Sequence, residues 1–286
     1  MKSARLGLFG LVVFALTAAD PVLGAGGEGQ DDASPASTLD LTYDLYVGGI
    51  SLGRVSMSSR VQGNDYKAVS TLETKGIVNA LWQAKIEAAS SGLVNGGRVQ
   101  PNLYDSFSQN RSQARRHATL SFGADGPKAL QSDPPYEDNH YPVPENQRKQ
   151  TLDPLSAAIY LTASATAKPE KPCEVTAPIF DGRRRYDVAF NYMKKTDISM
   201  DNGVYSGPAF VCQIHYNQIA GYQQTVIEAN KKFPKMYAWV VEAKSTADPN
   251  RYYMVPVRVW AETAYGIVVA LASQVKLDGQ NLARPN

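Results

Sequence analysis

The sequence predicts a mainly β protein, an antiparallel meander carrying one or two short helices. Three observations predict it. Apolar and polar residues alternate with period two through most of the chain. Glycine-rich turn pairs separate the alternating runs, and a single segment carries a strong helix-start signal. About eleven strands can be drawn on this basis, enough that the meander should curl into a barrel or fold into two packed sheets to hide its edges.

The first strand places Leu41, Tyr43, Leu45 and Val47 on one face and Thr42, Asp44 and Tyr46 on the other. Gly48-Gly49 is a two-residue hairpin signal, and a second strand runs from Ile50 to Val61. Further strands follow at Tyr66 to Thr74, Ala84 to Val94, Val99 to Ser108 and Ala114 to Phe122. Ile77, Val78, Leu81 and Trp82 recur at near-helical spacing and predict a short helical turn. From Gly123 to Gln150 the chain is polar and carries Pro127, Pro134, Pro135, Pro142 and Pro144, which predicts a long surface loop rather than a strand. Asp153-Pro154 starts the one convincing helix: Asp153 suits the N-cap, Pro154 suits the first turn, and Leu155, Ala158, Ile159 and Leu161 supply a buried stripe.

The second half is again strand-like. Cys173, Val175, Ala177 and Ile179 alternate up to the turn pair Asp181-Gly182. Tyr186, Val188, Phe190 and Tyr192 share a face, as do Phe210, Cys212, Ile214 and Tyr216. Then come Tyr237, Trp239 and Val241, followed by Tyr253, Val255, Val257 and Val259, and finally Ile267, Val269 and Leu271. Pro256 has no amide to donate, so it predicts an edge or a bulge at that point.

The N-terminus reads as an export signal. Lys2 and Arg5 precede an apolar run from Leu6 to Ala19, and small residues near Gly24 and Ala25 suit a signal peptidase. The run is too short to span a bilayer comfortably, and no later stretch approaches the roughly 18 apolar residues a spanning helix needs. The expected organisation is therefore a signal peptide at 1–24, a flexible lead-in at 25–38, one β domain at 39–275 and a tail at 276–286. In an oxidising compartment outside the cytoplasm, Cys173 and Cys212 should form a disulfide closing a loop of about 40 residues, with a stabilisation near 4 kcal/mol in the chain-entropy model.

Composition excludes some function classes. A formal charge of +2 on 286 residues gives no bias toward nucleic acid. Gly24-x-Gly26-x-x-Gly29 matches a dinucleotide fingerprint but has no strand before it and no apolar helix after it. No phosphate loop, Gly-x-Ser-x-Gly elbow or His-Glu-x-x-His is present, so no cofactor is expected. Cys212-x-x-His215 places its two side chains on opposite strand faces, so no metal site is expected there. A hydrolase would have to be built on His215 with Asp181 or Asp187. Arg183-Arg184-Arg185 reads as a solvated hairpin tip or as an anion site, and Arg115-Arg116-His117 reads the same way. The aromatic residues Tyr186, Phe190, Tyr192, Phe210, Tyr216, Tyr237 and Trp239 either fill the core or line a ligand cavity.

Several short motifs recur in order: Tyr43-Asp44-Leu45-Tyr46-Val47-Gly48-Gly49-Ile50, Asp153-Pro154-Leu155-Ser156, Ile179-Phe180-Asp181-Gly182-Arg183, Val255-Pro256-Val257 and Tyr265-Gly266. In these the chain resembles the bacterial exported family known as domain of unknown function 3108, from about Leu39 to Ser273. The resemblance implies a Gram-negative periplasmic protein with a curled or spiral β-barrel, similar in plan to envelope-integrity barrels and more distantly to lipoprotein carriers. It carries no catalytic residues over. The expected function is non-enzymatic support of the cell envelope through a lipid, glycan (peptidoglycan) or protein partner. An envelope hydrolase and a purely structural scaffold are the alternatives.

Overall fold

In the computed structural model the described residues are 35–76, 79, 83–95, 97–110, 115–136, 141–163, 172–230, 234–263 and 266–282. The signal peptide, most of the lead-in and the helical turn expected around Ile77 to Trp82 lie outside them. Two long runs of strands are joined by a helical segment. The first run is β1 (Ala36–Val47), β2 (Ile50–Gln62), β3 (Asp65–Thr74), β4 (Ala84–Asn95), β5 (Arg98–Asn110), β6 (Arg115–Gly123) and β7 (Gly126–Asp133). Next come helices α1 (Glu145–Arg148) and α2 (Pro154–Ala163). The second run is β8 (Val175–Phe180), β9 (Arg185–Ser199), β10 (Ser206–Ala220), helix α3 (Gln224–Asn230), β11 (Met236–Lys244), β12 (Tyr252–Thr263), β13 (Gly266–Leu277) and β14 (Gln280–Asn281). All the strands belong to one antiparallel sheet, in the order β7-β6-β5-β4-β3-β2-β1-β13-β12-β11-β10-β9-β8, with β14 paired to β13. The mainly β expectation holds, and the β1–β2 hairpin turns at Gly48 and Gly49, both with positive φ as a primed two-residue turn requires.

The sheet curls without closing. Its ends, β7 and β8, come together with no ladder between them among the described residues. The turn after β8 packs on β7 so closely that a methyl on Gly182 would lie 3.0 Å from Leu130 Cδ1. A strap formed by residues 143–152 spans this seam. Gln150 N donates to the Asp125 carbonyl at the β6–β7 turn, while Leu152 forms a parallel bridge to β8 through Leu152 N to Pro178 O and Phe180 N to Leu152 O. Arg148 Nη2 donates to the Val143 carbonyl at 2.7 Å and ties the strap to itself.

Helix α2 lies inside the curl and touches β3, β4, β5, β8 and β12. Leu155, Ile159 and Ala163, spaced one turn apart, enter a first core with Leu39, Leu41, Tyr66, Tyr104, Val241, Tyr253, Val255 and Val257. Ala157 enters a second core with Ile179, Tyr186, Val188, Phe190, Cys212, Ile214, Ala238 and Val240. The helix is thus buried on two sides, and the single stripe expected from Leu155, Ala158, Ile159 and Leu161 is too narrow: Ser156, Ala157, Thr162 and Ala163 are buried as well.

Three boundaries need correction. Residues 126–133, expected in a loop, form edge strand β7. An end strand can hold Pro127, because its outward side makes no ladder, and Pro127 sits at a register shift against Phe122. Residues 36–38, expected in the lead-in, open β1, where Ser37 is wholly buried. The expected tail contains the end of β13 and β14, turned by Asp278-Gly279 with both φ positive. Asp278 is also a clip. Its carboxylate accepts from Ser37 Oγ and Thr38 N of β1 and from Ser245 Oγ, Thr246 N and Ala247 N of the β11–β12 turn.

Cys173 and Cys212 are bonded, as expected, and join the start of the second run to β10. The bulge expected at Pro256 is present. Trp239 lies opposite Arg258 and Val240 opposite Pro256, which leaves Val257 unopposed. β12 pairs with β13 only from Arg258 onward, so its first half leaves the β13 ladder at this bulge.

Candidate functional site

The structure does not gather the seven aromatic residues around one cavity. Tyr186, Phe190, Phe210 and Tyr216 pack in or against the second core, and the Tyr186 and Tyr216 rings lie 5.0 Å apart. Tyr192 keeps that face, opposite Cys212 and edge-on to the Phe210 ring, but is 42% exposed because β9 runs on past the end of its β8 pairing at Phe190. Tyr237 and Trp239 lie on the opposite face of β11 from Met236, Ala238 and Val240 of the second core. They share that face with Val241, as expected, and the face passes from wholly buried at Val241 to half-buried at Trp239 and Tyr237.

There the strand register builds a platform that sequence spacing conceals. Opposite residues on adjacent strands share a face, and Tyr237 opposes Trp260 while Trp239 opposes Arg258. The ring centroids of Tyr237 and Trp260 are 5.6 Å apart, as are those of Trp239 and Trp260. The Arg258 guanidinium lies 4.8 Å from the Trp239 ring and 5.2 Å from the Trp260 ring. Two contiguous rows therefore cross the sheet. One contains Tyr237, Trp260, Val269 and Tyr46, and the other Trp239, Arg258, Leu271 and Asp44. Sequence reading misses Arg258 and Trp260 because the Val257 bulge shifts β12 by one residue. Val259, expected with Val255 and Val257, consequently packs on the second core. Pro256 was the one signal of that shift.

Arg258 has no hydrogen bond or ion pair among the described residues, and its Nε is buried without a partner. The acid in its own row, Asp44, is held by Arg54 through two bonds of 2.7 and 3.1 Å, which keep the Asp44 carboxyl below its ordinary range. The guanidinium is thus a partly desolvated cation packed beside two indoles, with its donors uncommitted among the described residues.

Other polar clusters are occupied by the fold. At the seam Asp181 accepts from Arg183 N and Arg184 N at 2.9 and 2.6 Å, and burial pushes its carboxyl up despite those bonds. Arg184 lies over Tyr222, whose hydroxyl bonds Tyr216 at 2.7 Å, and Arg185 pairs with Asp187 at 2.6 Å. Arg183 and Arg184 are exposed at the turn, as a solvated hairpin tip would be, and Arg185 is the member tied into the seam. In the hydrolase set, His215 is exposed, and no hydrogen bond joins it to Asp181 or Asp187 among the described residues. Arg116 lies over Tyr136, and His117 bonds Asp105 at 2.6 Å. His140 lies outside the described residues.

The most buried polar group is the α2 N-cap. Asp153 Oδ1 accepts from Leu155 N and Ser156 N, both at 2.9 Å, and Oδ2 accepts from Ser156 Oγ and from Ser90 Oγ of β4. Ser156 Oγ also meets Tyr66 Oη of β3 at 2.6 Å. Burial pushes the Asp153 carboxyl up to about 6. Asp153 and Ser156 are wholly inaccessible, so this network fastens the helix to the sheet and offers nothing to a substrate.

Among the described residues no group of three or more His, Cys, Asp or Glu side chains could hold a metal, and no helix is long and apolar enough to cross a membrane. No curated protein matches the chain. Among solved structures it is similar to a beta-barrel-like protein of domain of unknown function DUF1849 from Brucella abortus. The identity is 11% and the TM-score 0.47, over 86% of this chain and 97% of that one. The model of the family described as "Protein of unknown function (DUF3108)" matches residues 42–273, which include the second half of β1, α2 and the β11–β12 platform; the chain belongs to that family.

Proposed function

We propose that the protein is an exported, non-enzymatic component of the cell envelope that binds an envelope ligand on the platform formed by Tyr237, Trp239, Arg258 and Trp260. The observation that carries this reading is the Arg258 guanidinium, packed beside two indoles with no hydrogen-bond or ion-pair partner among the described residues. A cation ordered in this way is poised for a ligand, since its geometry is already fixed before binding. Helix α2 fills the curl, which favours a ligand on the sheet over one enclosed within it. Export rests on Lys2, Arg5 and the apolar run from Leu6 to Ala19.

The test uses exported protein whose N-terminus has been sequenced, with processing near Ala25 expected. Tryptophan emission is followed while isolated peptidoglycan or vesicles of envelope lipid are added. Saturable quenching by one of these is expected, and Trp239→Ala should weaken it at least about tenfold with the circular dichroism spectrum unchanged. A wild-type protein that binds neither preparation sinks the reading. The filled interior favours a second reading, a structural scaffold, which that outcome would leave standing.

A further inference from the structure

We infer that the ligand of the β11–β12 platform is a saccharide bearing a carboxylate. The inference rests on the platform being a binding site at all, and it goes further by naming the chemistry the site would take. The rings come first. Tyr237, Trp260 and Tyr46 lie in one row across four strands, with Val269 between Trp260 and Tyr46, and the next row sets Trp239 beside Arg258. Four adjacent strands span roughly 14 Å, so the platform is longer than one small molecule and suits a chain laid along it. The apolar C–H face of a pyranose packs on flat aromatic rings, while its equatorial hydroxyls reach polar tips such as a tyrosine hydroxyl.

The charge comes second. Arg258 presents a planar fork of donors that matches a carboxylate in two parallel bonds. Asp44, the acid that shares its row, is bound to Arg54, so Arg258 has no counterion among the described residues. One guanidinium balances one carboxylate. A flanking charge argues against a broad anionic surface such as a membrane: the exposed Glu262 lies two residues beyond Trp260 on β12. An extended sheet of phosphates would meet that acid, whereas a single carboxylate among hydroxyls need not.

The experiment titrates the full exported protein, read by tryptophan emission and calorimetry, with four probes: an oligogalacturonate, the same oligomer with its carboxyls reduced, inorganic phosphate, and vesicles containing phosphatidylglycerol. The acidic oligomer should bind saturably, and the reduced one about tenfold more weakly, the difference expected for a charge-assisted pair. Arg258→Gln should abolish that difference, Arg258→Lys should restore part of it, and Trp260→Ala should weaken both oligomers alike. Equal binding of the two oligomers by the wild type overturns the carboxylate claim and leaves the platform as a site. Binding of phosphate or vesicles in preference to either oligomer overturns the saccharide claim and leaves the platform as a site. Binding of none of the probes, together with failure of the peptidoglycan titration, overturns both.

Discussion

Tyr43 Oη donates a 2.6 Å hydrogen bond to the Pro256 carbonyl, reaching from β1 past β13 to β12. The bond lies where β12 leaves the β13 ladder and backbone groups lose their strand partners. On the β13 side the freed Ala272 carbonyl accepts from Asn202 Nδ2 at 2.7 Å. Two side chains thus satisfy the split in the sheet, as buried backbone polar groups require. Burial drives the Tyr43 hydroxyl pKa well up, so it stays a donor at every physiological pH.

Tyr43→Phe should therefore cost about 1–2 kcal/mol, the penalty for a half-buried carbonyl left unmade. Urea unfolding should show a lower midpoint with an unchanged slope. An unchanged midpoint would mean that water replaces the hydroxyl without cost.

Removing the clip should cost more. Asp278→Ala releases six donors from two segments, and a loss of about 2–4 kcal/mol is expected, with Asp278→Asn retaining part of it. Hydrogen exchange should localise the loss to β1 and the β11–β12 turn. Uniform loosening of the whole sheet would contradict the clip.

The disulfide closes a loop with a sequence separation of 39, and Cys212→Ser should lower stability by about 2–4 kcal/mol. Added reductant should destabilise the wild type and leave the variant unchanged. Equal sensitivity of the two would rule out a stabilising bond.

The pH dependence carries an unusual sign. Asp153 titrates near 6 in the folded state against 3.8 ordinarily, so folding favours its protonated form. Its contribution is fully present below pH 3.8 and is lost as pH rises toward 6, a change of about 3 kcal/mol. Asp278 acts in the opposite sense. Burial opposes its ionisation, but the bonds from Ser245, Ala247, Thr38 and Ser37 outweigh that and hold it at about 2, so its contribution is present above pH 3.8 and lost as pH falls toward 2. Between pH 4 and 6 the wild type should therefore lose stability with rising pH, and Asp153→Asn should flatten that slope. A slope unchanged in Asp153→Asn would assign it to another group.

The sequence carried most of the fold, because period-two alternation and turn pairs are local signals. Ala84 to Val94 reads as a strand because Ala84, Ile86, Ala88 and Val94 fall on one face. β7 does not, because most of its side chains face water and a terminal strand needs no apolar face. The platform was half legible. Tyr237 and Trp239 lie on one unbroken strand face, but Arg258 and Trp260 join them only through the Val257 bulge, a three-dimensional register that spacing along the chain does not encode. The Asp153 cap was legible from Asp153-Pro154, whereas Ser90 and Tyr66, on β4 and β3, could be joined to it only by the fold.

The ladder between β1 and β13 sets an order of assembly. Ser37 and Asp278, bonded where that ladder ends, are 241 residues apart in sequence. Throughout synthesis β1 has β2 on one side and an open row of amides and carbonyls on the other, and only the last long strand can cover that row. Closure of this ladder is a late event, since so distant a contact forms slowly. A chain cut short before Gly266 would retain nearly every strand and still present the bare flank of β1, a template for a neighbouring copy. Such a fragment should sediment with its own kind while the full chain stays in solution, which makes the final strand the guard against self-association.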